Sequence, residues 1–87
     1  MKTLEQQARD TLELVRDVGT LLSGKDPHVV GAALADLTAA WIAAHKAATK
    51  DETDRMRDEL LTAHIEAIET LIPVNARDME KPPPSRA

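Results

Sequence analysis

The sequence predicts an all-α protein: an antiparallel three-helix bundle, running up-down-up over residues 1–74, with a disordered proline-rich tail over 75–87. Three observations predict it. Large apolar residues recur at spacings of three and four, the period of one helix face. Two breaks, around Gly24 and around Lys50, carry helix stop and start signals. No segment alternates apolar and polar residues as a strand does. The short connections between helices imply antiparallel neighbours.

The first helix is expected from about Thr3 to Ser23, with Leu4, Ala8, Thr11, Val15, Val18 and Leu22 on one stripe and Leu12, Leu14 and Leu21 widening it. Gly24 follows as a C-terminal cap, because glycine tolerates the left-handed conformation. The second helix opens on Asp26-Pro27: a carboxylate that accepts a free backbone N–H, then a residue that needs no donor. Its expected span reaches about Ala48, with Val30, Leu34, Leu37 and Trp41 as the large apolar stripe. Thr49 with Glu52 matches a capping box, and Asp51 is a rival cap. Asp51 and Arg55 form a supportive i,i+4 pair. The third helix is expected to run to Ile72, where Pro73 stops it. Met56, Leu60, Ala63, Ala67 and Leu71 edge its apolar face, and Leu61, Ile68 and Ile72 extend it. Asn75-Ala76-Arg77-Asp78 can add one more turn, and consecutive prolines at 82–84 favour an extended tail after it.

Composition narrows the function. The chain has 87 residues, and a domain this small buries only about 60% of its unfolded surface. It has no cysteine, which excludes disulfides, thiolate metal sites and cysteine nucleophiles and fits a cytoplasmic protein. The net charge of −4 and a single aromatic residue argue against nucleic-acid binding. The apolar run from Val29 to Ala44 contains Asp36, which costs roughly 2.5–3.5 kcal/mol in a bilayer, so no membrane span is expected.

His64 falls near the centre of the third apolar arc, and a buried ring there needs a polar partner. Counting outward from the loops places Thr11, Thr38 and His64 at one height, so a buried polar layer of these three is expected. His45 lies one turn after Trp41, where the indole can cover the imidazole and form a small ligand site. His45 and His64 differ in height by about eight residues, roughly 12 Å, so no metal site is expected from them. Ala44-His45-Lys46-Ala47 resembles the histidine segment of phosphotransfer helices. Those helices carry a lysine three residues after the histidine and then a glycine. Here Ala48 and Thr49 hold those positions, so no phosphotransfer is expected. There is no phosphate loop, nucleophile elbow or metal motif, and the chain is expected to be neither an enzyme nor a cofactor carrier.

The back of the second helix is unusual. Gly31, Ala35 and Ala39 follow at i,i+4, flanked by Ile42 and Trp41. A helix apolar all round is normally buried on several sides. These five residues are therefore expected to form an interface, most simply a homodimer. Alternative seams are Leu14 with Leu21, or Leu61, Ile65 and Ile72. The expected role is a non-catalytic protein–protein interaction or regulatory module. Two alternatives are a ligand- or pH-responsive protein using His64, His45 and Trp41, and an acidic inhibitor presenting Asp51, Glu52, Asp54, Asp58 and Glu59 to a basic groove.

Overall fold

A computed structural model of the chain describes residues 1–80. They form three helices and no strand: α1 (Leu4–Leu22), α2 (Pro27–Ala43) and α3 (Lys50–Glu80). The all-α expectation holds. The prolines at 82–84 and the extended tail expected around them lie outside the described residues. The chain divides into two compact units, Met1–Leu37 and the part from Thr38 onward.

In the first unit, Thr3 caps α1. Its hydroxyl accepts from the Gln6 N–H, and the Gln6 side chain accepts from the Thr3 N–H, a reciprocal capping box. Lys2 and Asp10 form an exposed ion pair. At the other end, Ser23 N–H donates to the Gly19 carbonyl at 3.0 Å. Gly24 takes φ +77°, the left-handed conformation that only glycine adopts without strain. Asp26 then accepts from the N–H groups of His28 (2.8 Å) and Val29 (3.3 Å) and starts α2. Val18, Leu22 and Val30, all near this turn, are the half-buried apolar residues of the unit. Asp26→Ala leaves two N–H groups at the α2 start without a protein acceptor. It is expected to cost about 1 kcal/mol, read as a lower urea midpoint at unchanged slope.

In the second unit, two boundaries differ from expectation. The second helix ends at Ala43, not near Ala48, and residues 44–49 form a loop. Ala44, His45, Lys46 and Ala47 are sound helix formers, so local propensity is not the cause. The backbone groups there are bonded by α3 instead: Arg57 holds the carbonyls of Ala43 and His45, and Thr53 holds the N–H of Ala47. The third helix does not stop at Pro73 but continues to Glu80. Pro73 deprives the Glu69 carbonyl of its helical donor. Glu69 and its neighbours are exposed, so water can serve that carbonyl, and the helix continues to Glu80, into the span from Asn75 onward that was expected as tail. Thr49 is the residue that caps α3, accepting from Glu52 N–H at 3.1 Å.

Among the described residues no apolar side chain is fully buried; the one buried residue is Thr53, at 9% exposure. The half-buried residues of the second unit fall on two rows. Thr38, Ile42 and His45 lie on and just after α2; Met56, Arg57, Leu60 and His64 lie on α3. Their spacings of three and four are those of one face on each helix.

Candidate functional site at the Trp41 corner

The end of α2, the loop 44–49 and the first half of α3 build a corner around Trp41. Its logic begins with the carbonyls that any helix leaves free at its C-terminus. Ala40 O accepts from Ala44 N–H at 3.0 Å, and Ile42 O accepts from His45 N–H at 3.1 Å. Trp41 O is met by the His45 ring at 2.8 Å. A carbonyl only accepts, so His45 Nδ1 carries the proton in this bond and Nε2 is the basic nitrogen of the neutral ring. Ala43 O accepts from Arg57 Nη2 at 2.6 Å, and His45 O accepts from Arg57 Nε at 3.1 Å. A guanidinium at a helix C-terminus also opposes the negative end of the helix dipole. On the loop side, Thr53 Oγ1 accepts from Ala47 N–H at 2.9 Å and donates to the Thr49 carbonyl at 2.8 Å.

Trp41 stands between two imidazoles. The His45 ring meets it edge-on at 5.2 Å between centroids, and the His64 ring lies tilted at 5.4 Å. Trp41 is 46% exposed, and both histidines are half-buried. Height counting had kept His45 and His64 apart. Both nevertheless reach the same indole. Among the described residues no group of three or more histidine, cysteine or acidic residues is placed to hold a metal ion.

The other expected residues fall as follows. Thr11 is exposed, and its hydroxyl donates to the Gln7 carbonyl of its own helix at 2.7 Å, the usual outlet for a mid-helix threonine. Thr38 and His64 are half-buried, so none of the three residues of the expected polar layer is buried. Gly31, Ala35 and Ala39 are exposed on α2, and a Cβ added at Gly31 would meet nothing within 4 Å. Ile42 is half-buried.

Of the acidic set, Asp51, Glu52, Asp58 and Glu59 are exposed. Asp54 pairs with Lys50 at 2.8 Å, where an Asp51–Arg55 pair was expected. The hydrogen bond from Lys50, and then its charge, hold the Asp54 carboxyl below the ordinary 3.8. The same bond raises the Lys50 ammonium above 10.5. The pair's contribution is present between those ordinary values. It is lost as pH falls through the lowered Asp54 value or rises through the raised Lys50 value. Both groups are fully exposed, so salt screens the pair.

The residues that sequence reasoning missed are Arg57 and Thr53. Their i,i+4 spacing was visible, but their partners are backbone atoms of a loop that the helical pattern ran straight through. Among the described residues no helix is long and apolar enough to cross a membrane. Comparison with protein-family models, with curated proteins and with solved structures finds no match for this chain.

Proposed function

We propose that this protein is a non-catalytic interaction module that completes its apolar packing against another protein surface, and that this surface is a second copy of the same chain. One observation carries the reading: the described residues bury no apolar side chain, while leucines, valines and isoleucines on all three helices stay exposed. Fully burying one such side chain is worth about 1.5–3 kcal/mol, and ordering one backbone residue costs about 1–2 kcal/mol. A small chain that leaves these side chains in water lacks its main stabilising term, and a partner supplies it. The up-down-up course of the three helices belongs to this reading.

Two exposed faces can carry the association: the Gly31, Ala35 and Ala39 row with Trp41 beside it, and the isoleucine row of α3. The test is self-titration. A trace of chain labelled at its N-terminus is mixed with rising amounts of unlabelled chain, and fluorescence anisotropy is followed. A saturable rise at micromolar concentration, little changed by salt, is expected for an apolar seam. A flat titration to 100 µM, or a rise abolished by salt, contradicts the reading.

A second reading has its own support. Trp41 in contact with two imidazoles is a natural platform for a small planar ligand, with His45 Nε2 as its free acceptor. Titration of indole and benzoate derivatives against Trp41 emission tests it. A saturable change, lost in His64→Ala, supports a ligand site; unchanged emission across the set excludes one for these ligands.

A further inference from the structure

The two turns of the chain are held differently. Between α1 and α2 the break is written locally: Gly24 takes φ +77°, and Asp26 caps the helix that Pro27 begins. Between α2 and α3 only the start of α3 is marked, by the Thr49 cap. Nothing local ends α2. Residues 32–72 contain neither glycine nor proline, and no residue of the loop 44–49 has a positive φ. Ala44, Lys46, Ala47 and Ala48 are all good helix formers.

What ends α2 is a set of side chains standing in for helical hydrogen bonds. In an uninterrupted helix Ala47 N–H donates to Ala43 O, four residues back. Both halves of that one bond are occupied from α3: Arg57 Nη2 donates to Ala43 O at 2.6 Å, and Thr53 Oγ1 accepts from Ala47 N–H at 2.9 Å. His45 O, the helical acceptor for Thr49 N–H, accepts from Arg57 Nε at 3.1 Å. Trp41 O, the helical acceptor for His45 N–H, is taken by the His45 ring at 2.8 Å, and that N–H turns to Ile42 O. Thr53 and Arg57 lie one turn apart, on one face of α3.

We infer that residues 44–49 are a two-state connection. In the closed state, the one in this structure, bonds from Thr53 and Arg57 hold them as a loop. In the open state those side chains let go, the same backbone groups pair with one another in helical register, and α2 runs into α3 as one helix. The change conserves backbone bonding: Ala43 O gains Ala47 N–H, His45 O gains Thr49 N–H, and Trp41 O gains His45 N–H. What the open state gives up is the contact across the corner. His45 is one turn from Trp41 and stays beside it. His64 moves to about 35 Å from Trp41 along the continuous helix. A ligand that needs the corner intact favours the closed state, and one that takes Arg57 favours the open state. The device works within one chain and does not depend on the self-association proposed above.

The test is the full-length double variant Thr53→Ala/Arg57→Ala, followed by NMR. The expected result is a move of the Cα shifts of Ala44 to Ala48 to helical values, with His64 ring protons losing the ring-current shift from the indole. The variant is thus less stable yet more helical. Adding Ala48→Gly, at an exposed position, is expected to lower the open-to-closed ratio roughly fivefold, because glycine weakens the continuous helix. Random-coil or unchanged shifts at 44–48 in the double variant overturn the second state, since Thr53 and Arg57 then merely staple a loop. Helical shifts with His64 still at the indole also overturn it, because α2 has then lengthened without joining α3. Should the double variant fail to fold, Thr53→Ala alone decides: a partial move of the same shifts toward helix supports the switch, and unmoved or random-coil shifts overturn it.

Discussion

Arg57→Ala is expected to lower stability by about 2 kcal/mol and the melting midpoint by roughly 10 °C. The guanidinium makes two bonds to the end of α2, to Ala43 O and His45 O. A hydrogen bond from a charged donor contributes about 1.5–3 kcal/mol, and because the bond to Ala43 O is exposed the two together are expected to give little more than one such bond. For a chain of this size about 1 kcal/mol moves the midpoint by 4–8 °C. Arg57→Lys keeps the charge but not the planar fork, so it is expected to recover only part of the loss. Trp41 emission should shift in both variants, because the end of α2 sets where the indole meets His45 and His64. A loss below about 0.5 kcal/mol, within the usual range of surface substitutions, would mean that something other than this side chain holds the corner.

The second large effect is expected on dilution. If a partner chain supplies the apolar burial, folding and association are one equilibrium, and the midpoint depends on protein concentration. Tenfold dilution removes about 1.4 kcal/mol per dimer. With an unfolding entropy near 2.1 cal/mol/K per residue, that lowers the midpoint by about 4 °C per decade. Circular dichroism from 100 to 1 µM reads this directly, and the total drop is expected to be about 8 °C. The Lys50–Asp54 pair, exposed and screened by salt, offers no comparable handle.

How far the sequence disclosed this molecule depends on which forces are local. The starts of the helices were legible, because Asp26, Gly24 and Thr49 act on backbone groups within a few residues of themselves. The end of α2 was not. Ala44 to Ala47 favour a helix locally, and only bonds from Thr53 and Arg57 make the loop an alternative for those backbone groups. The His45–Trp41 half of the candidate site was legible as neighbours one turn apart, whereas the His64 contact was not, because it depends on how α3 meets α2. Pro73 misled in the opposite sense. Proline removes one donor, but at an exposed position the helix can bear that loss, and α3 runs through it. Of the expected polar layer, Thr11 lies in the first unit and Thr38 and His64 in the second, and the Thr11 hydroxyl bonds the Gln7 carbonyl of its own helix.

Sedimentation equilibrium of the full chain between 1 and 100 µM tests most directly whether a second copy covers what one chain leaves in water. The account predicts a mass that rises with concentration and levels at twice the 9.5 kDa of the chain. A stable, helical species that stays at 9.5 kDa over the whole range would contradict it.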